Sequence, residues 1–165
     1  MSSEPFKSSF PPVADAHVRV LVLGSLPGEV SLARQQYYAH PTNQFWRLIG
    51  AVVGADLAHL PYETRLKTLL RHRVGLWDVI RQARRSGSLD GRIRDHAPNA
   101  LHELVGGLPN LKAIAFNGGT AADIGRKQLG AEAGHVLISL PSSSAAYTKP
   151  FDAKRAEWMA LKAFL

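Results

Sequence analysis

Tyr37, Tyr38, His40, Asn43 and Phe45 stand close together in a stretch with no apolar periodicity. Two phenols, an imidazole, an amide and an aromatic ring are suited to holding an aromatic ligand that also hydrogen-bonds. Two other short runs offer polar groups of the same kind. Asp78 directly follows the apolar Val74-Gly75-Leu76-Trp77, and Leu140-Pro141-Ser142-Ser143-Ser144-Ala145-Ala146-Tyr147 puts hydroxyls after another apolar run. A carboxylate or amide can select a donor or orient a water. Serine hydroxyls and nearby backbone N–H groups can stabilise developing negative charge. Each group also has a plainer reading. Asp78 could cap a helix. The serines could form a flexible connector, although Pro141 stiffens its start. Trp46 is expected in the core, and Phe45 could join it there or face a ligand.

Other chemistries are excluded or weak. There is no cysteine, which rules out disulfides, Fe–S clusters and thiol catalysis. The seven histidines are scattered without metal-ligand spacing, so no metal and no cofactor is expected. Gly24-Ser25-Leu26-Pro27-Gly28 is not a P-loop, because no Gly-Lys-Ser/Thr follows. It is not a dinucleotide fingerprint either, since its third glycine is missing and no helix is expected to start at once. Gly118-Gly119-Thr120 could bind a phosphate at a helix N-terminus or simply make a tight turn.

Such groups must be held by regular elements. Apolar runs at Val18–Gly24, Val74–Trp77, Leu111–Phe116 and His135–Leu140 read as buried parallel strands. Helical patterns are expected over Asn43–Val53, Tyr62–Leu70, Pro98–Val105, Thr120–Leu129 and Asp152–Phe164, the last with Asp152 as its N-cap. Between Gly28 and Asn43 a long loop is expected at the first strand's carboxyl end, where open α/β sheets bind ligands. The alternation implies an α/β fold, a three-layer α/β/α domain around a four-stranded parallel sheet. Residues 1–15 read as a polar tail and 16–165 as one domain. The tail lacks the basic and apolar regions of a secretory signal and no apolar run could span a membrane, so a cytoplasmic protein is expected.

The net charge is +7 and the pI about 10.1. Arg65, Lys67, Arg71, Arg73, Arg81, Arg84, Arg85, Arg92 and Arg94 face only Asp78 and Asp90 in one segment, whose excess equals that of the whole chain. A polyanion, nucleic acid first, is the natural partner. The plainer alternative is a solvated basic face.

The three motifs Gly24–Gly28 with Gln35–Trp46, Gly75–Ile80, and Leu140–Tyr147 together resemble the uracil-DNA glycosylase superfamily, and more narrowly its hypoxanthine-DNA glycosylase branch. The resemblance covers nearly the whole chain. It implies a DNA groove across the carboxyl ends of the strands, a monomer, and a DNA partner carrying a deaminated base. Gly24, Ser25, Pro27 and Gly28 would lie beside the target sugar, with Leu26 where many relatives carry a catalytic Asp or Asn. In the hypoxanthine branch that role passes to an Asn in the segment matched by His40–Trp46, which is Asn43 here. Pro141, Ser142, Ser143 and Ser144 would approach the minor groove and the leaving base, without the His that opens this motif in the uracil enzymes.

A glycosylase mechanism would follow. Glycosylases extrude their target nucleotide. Arg84 and Arg85 would hold phosphates, as Gly118 and Gly119 could at their helix start. Phe45, with Tyr37 or Tyr38, would stack on the flipped base. Asn43 would orient a water toward C1′ through its carbonyl oxygen, and Ser142 and Ser143 would stabilise the departing base. Asp78 would accept the N1–H of hypoxanthine and disfavour adenine. Uracil and xanthine also present N–H groups, so the same pocket could take them. The alternatives are a uracil or mismatch-type glycosylase of the same fold, and a non-catalytic nucleotide- or DNA-binding domain.

Overall fold

The computed structural model describes residues 5–130 and 134–165. In chain order the elements are β1 Phe6–Ser8, β2 Val20–Gly24, α1 Glu29–Arg34, α2 Phe45–Val53, α3 Tyr62–Arg71, β3 Val74–Asp78, β4 Ile80–Arg84, β5 Arg94–Pro98, α4 Leu101–Gly106, β6 Ala113–Asn117, α5 Gly119–Leu129, β7 Val136–Leu140 and α6 Phe151–Trp158. Short 3-10 turns cover Asp90–Arg92 and Met159–Phe164.

Four strands form a parallel sheet in the order β3-β2-β6-β7. β2 is buried along its whole length, as its unbroken Val/Leu run requires when both faces are covered. Its side chains alternate between those faces. Val20 and Val22 meet Leu76, Ala113 and Ala115 under α2, α6 and the final 3-10 turn. Leu21 and Leu23 meet Ile114 and Phe116 under α4 and α5. This is the expected three-layer arrangement. Gly125 lets α5 sit close to the sheet, because a Cβ there would come within 2.3 Å of the Phe116 ring. The chain steps from β2 to β3 on one side and then crosses to β6 on the other. The carboxyl ends of β2 and β6 therefore flank the switch point where open α/β sheets form crevices.

The structure departs from expectation in five places, one being that Pro98 ends β5 and the helix expected to begin there starts at Leu101. A second, antiparallel sheet, β1-β4-β5, is present. The expected tail belongs to the fold from Phe6 onward: β1 pairs with β4, and Val13 exchanges two 2.9 Å backbone hydrogen bonds with Leu76. A helix does start at once after Gly28, as α1 takes up part of the expected loop. Near the carboxyl end, Asp152 lies in the first turn of α6 and Pro150 is the N-cap.

Candidate active site

A cavity of about 490 Å³ opens at the carboxyl ends of the parallel strands. Gly24 of β2, Asp78 of β3 and Asn117 of β6 reach it from the sheet, and the loop after β7 closes one wall with Ser142 to Tyr147. The loop between α1 and α2 supplies Tyr37, Tyr38, His40, Thr42 and Asn43. Ser88, Leu89 and Asp90 form the wall opposite.

One chain of hydrogen bonds joins three elements at this cavity. Ser143 Oγ donates to Asn43 Oδ1 at 2.8 Å and accepts from Asn117 Nδ2 at 2.9 Å. The Ser143 backbone N–H donates to Asn117 Oδ1 at 2.8 Å. Asn43 Oδ1 also accepts the Phe45 N–H at 2.9 Å. A backbone N–H can only donate, so this hydrogen bond fixes which end of the Asn43 amide is oxygen. Both lone pairs of that oxygen are thereby taken. The group Asn43 can present to a ligand is its Nδ2 amide, which corrects the expectation that its carbonyl oxygen orients a water. Asn117 carried no periodic or motif signal in the sequence. Only its place, directly before Gly118-Gly119 at the end of an apolar run, marked it as a strand-end residue.

The floor lies at Gly24. A Cβ at this position would stand 2.7 Å from both Asp78 Oδ1 and the Tyr38 hydroxyl, so glycine is what admits these two groups. Tyr38 has a left-handed backbone, φ +53°, a conformation that costs about 1–3 kcal/mol and collects at functional sites. Its ring stacks on Phe45 with centroids 3.9 Å apart. Among the described residues, the Tyr38 hydroxyl and Asp78 Oδ2 are both buried with no partner in full hydrogen-bonding geometry. Burial, then the charge of Asp90, raises the Asp78 carboxyl to about 7, while Arg85 pulls the other way. Burial and then Asp78 also push the Tyr38 phenol up, with the Asn117 amide opposing them.

The turn from Gly24 to Gly28 is held from behind. Arg85 is 1 % exposed and donates to the carbonyls of Leu26, Pro27 and Gly87. Ser25 Oγ donates to Asp90 Oδ1 at 2.7 Å, Arg85 stands 3.9 Å from the same oxygen, and Ser88 Oγ accepts the Glu29 N–H.

The expected site residues thus separate. Gly24, Ser25, Leu26, Pro27, Gly28, Tyr37, Tyr38, Asn43, Asp78, Ser142, Ser143 and Ser144 line one cavity. Phe45 does not. It is fully buried between Tyr38, Trp46 and Trp158, and it supports Tyr38 rather than facing a ligand. The Tyr37 hydroxyl is tied to the Pro11 carbonyl at 2.9 Å and its ring meets Phe10 edge-on, so this side chain is anchored to the segment before β2. Arg85 is committed to the turn and is not a surface phosphate ligand. Arg84 lies over the Phe6 ring and 3.6 Å from Asp95. Gly118 and Gly119 lie outside the cavity lining; at Gly118 (φ +97°) the backbone passes so near Ser142 that a Cβ would touch it at 3.1 Å. Pro141 uses its carbonyl to accept from Trp158 Nε1 at 3.0 Å. Asp78 caps no helix, since β4 follows it after one residue.

Residues 11–164 match the model of the Uracil DNA glycosylase superfamily. The chain is 40 % identical over 152 residues to a hypoxanthine DNA glycosylase of Methanosarcina barkeri (strain Fusaro / DSM 804), covering 92 % of this chain and 95 % of the relative. It is 41 % identical over 155 residues to a hypoxanthine DNA glycosylase of Methanosarcina acetivorans, covering 94 % and 97 %. A solution NMR structure of a candidate uracil DNA glycosylase from Methanosarcina acetivorans superposes with a TM-score of 0.86 at 39 % identity, covering 97 % of this chain and 99 % of that one.

Proposed function

The chain belongs to the uracil DNA glycosylase superfamily, and from that premise we propose that it is a monofunctional DNA glycosylase that excises deaminated bases, hypoxanthine first. The observation that carries the reading is the Asn43–Ser143–Asn117 chain of hydrogen bonds, which joins two loops and a strand end at one cavity. The target nucleotide leaves the duplex and enters this cavity, and a damaged or mispaired base costs least to extrude.

The N-glycosidic bond breaks with positive charge developing on the sugar, and the base departs with the bonding electron pair. Water adds its oxygen to C1′ and loses a proton to solvent, and the departing base takes up a proton from solvent to leave as the neutral free base. The products are a free base and an abasic site. Asn43 orients that water, or a sugar oxygen, with its Nδ2 N–H bonds; its own oxygen is held still by Ser143 and Phe45. A sugar cation asks little basicity of its nucleophile, so placement is the larger contribution. The Ser142 and Ser144 hydroxyls accept from the Ser144 and Ala146 N–H groups and keep their own hydrogens to donate to the departing base, whereas Ser143, expected in that role, spends its hydroxyl hydrogen on Asn43.

Asp78 and Tyr38 read the base edge. In either protonation state the Asp78 carboxyl offers an acceptor to the N1–H of hypoxanthine. Only the neutral acid can donate to the bare N1 of adenine. The reading carries with it a DNA partner, a monomeric enzyme and a cytoplasmic setting. No helix among the described residues is long and apolar enough to cross a membrane.

The test is incubation with duplexes that each hold one hypoxanthine, uracil or xanthine, followed by alkali. Release of free hypoxanthine with an alkali-labile site at its position is the expected result. Binding without base release from any of the three would leave a DNA-binding domain instead.

A further inference from the structure

Lys154 is the most deeply buried ammonium near the site, with 1 % of the residue exposed. It belongs to α6, which lies outside the cavity lining. Its Nζ donates to Gln44 Oε1 at 2.9 Å and to the Ser144 carbonyl at 3.1 Å, and it stands 5.4 Å from the centre of the Tyr147 ring. Among the described residues no carboxylate forms an ion pair with it. Burial holds its pKa below the usual lysine value. A buried charge without a counter-charge is costly, and here that cost is offset only by the two oxygens that accept from it.

The acceptors show what the charge is joined to. Gln44 follows Asn43 directly, and its backbone N–H donates to the Ser143 carbonyl at 2.9 Å. Ser144 follows Ser143. The two residues of the Asn43–Ser143 hydrogen bond are therefore each followed by a residue tied to one ammonium. The segment before α2 and the loop after β7 are about a hundred residues apart in sequence and belong to separate elements. Each is a loop and would shift independently without cross-ties.

We propose that Lys154 is a positioning residue of the base-excision reaction: its ammonium clamps Gln44 to Ser144 and so fixes the distance between Asn43 and Ser143. The inference rests on the glycosylase reading above. The clamp acts on geometry, since Lys154 touches no reacting atom. Loosening of about an ångström at such a point can cost roughly a hundredfold in rate.

Two variants cut the clamp from opposite ends. Lys154→Met keeps the length of the side chain and removes the charge; Gln44→Leu removes the acceptor. Single-turnover release of hypoxanthine at saturating enzyme should fall about tenfold to a hundredfold in each. The dissociation constant for the same duplex should stay within a few-fold. The melting temperature of Lys154→Met should change little, because removal of the unpaired buried charge is offset by the Gln44 and Ser144 oxygens left without their donor. Lys154→Arg, which keeps the charge, should recover part of the rate. In Asn43→Ala with Lys154→Met the losses should not add, because the clamp works through Asn43. Wild-type rates in either single variant, or fully additive losses in the double variant, would overturn the clamp. If Lys154→Met does not fold, Gln44→Leu alone decides by the same readouts. If the wild-type chain releases no base, the glycosylase reading itself has failed, which is a separate outcome.

Discussion

At the scale of single residues, Asn43 is legible from sequence and its working atom is not. Its place in a polar strand-end loop and in the motif is plain. Which end of the amide faces the cavity depends on Phe45 and Ser143, and Ser143 is distant in sequence. Two variants separate the possibilities. Asn43→Ala should lose roughly a hundredfold in single-turnover rate. It should also lose about 1 kcal/mol of stability, because the Phe45 N–H no longer has its side-chain acceptor. Asn43→Asp keeps both bonds to the oxygen and replaces the donor with a second acceptor. Its rate should fall at least as far. A rate at or above wild type would show that an oxygen, and not Nδ2, serves the water. Asn117 is invisible to pattern, because a lone Asn at a strand end has none. Phe45 suits a ligand or the core equally by residue type, and its full burial decides for the core. Asp78 supplies a pH test. Its carboxyl is raised from 3.8 to about 7, so between those values the folded protein holds a proton that the unfolded chain has lost. Its contribution to stability is full below about 4 and falls as pH rises toward 7. Asp78→Asn carries no such charge. The melting temperature of the variant minus that of wild type should therefore grow from pH 5 to pH 8, while hypoxanthine excision drops. An unchanged difference across that range would mean that Asp78 is not held protonated.

At the scale of elements, the buried strands are readable as short unbroken apolar runs, and the amphipathic α2 because its apolar side chains repeat with the helical period. The antiparallel sheet is not. β5 is Arg-Asp-His-Ala-Pro with nearly every residue exposed, and β1 has only three residues. Neither carries an apolar alternation. That sheet matters to the site, because β4 ends beside Arg85 and the chain beyond it supplies Ser88 and Asp90. This clasp explains how a Gly/Pro turn without regular structure keeps one shape. Truncation at Arg85 would leave three carbonyls without their donor. Arg85→Ala should lower stability by about 3 kcal/mol or more, measured by denaturant unfolding. It should also slow excision in the fraction still folded. If Arg85→Ala melts like wild type, the turn is held by its own backbone and the clasp is incidental.

At the scale of the whole molecule, the sequence groups nine cations into one stretch, and the fold scatters them. Arg85 is buried, and Arg65 donates to the carbonyls of Ala58 and Leu60. Lys67, Arg71 and Arg73 border a separate hollow with Asp15 and His17, at the amino ends of β2 and β3. Arg92 and Arg94 are exposed and follow the Leu89-Asp90 wall of the cavity; Arg94 Nη1 donates to the Gly91 and Ile93 carbonyls and its other nitrogen donors stay at the surface. Five-residue strands separate the two ends by roughly 15 Å. A duplex whose extruded base enters the cavity lies across the carboxyl ends, so only the second group is placed to meet its phosphates. Arg92→Glu with Arg94→Glu should weaken binding to a hypoxanthine duplex. The slope of log affinity against log salt should fall by about one for each phosphate that is no longer neutralised. Lys67→Glu with Arg71→Glu changes the net charge of the chain by the same amount at the other end. It should leave the slope nearly unchanged, with a small loss from weaker long-range attraction. Equal losses from the two pairs would mean that affinity follows total charge and that no single face of the molecule is used for DNA. A large loss from the Lys67 pair alone would move the duplex to the opposite end of the sheet, and the strand-end cavity would then need another ligand.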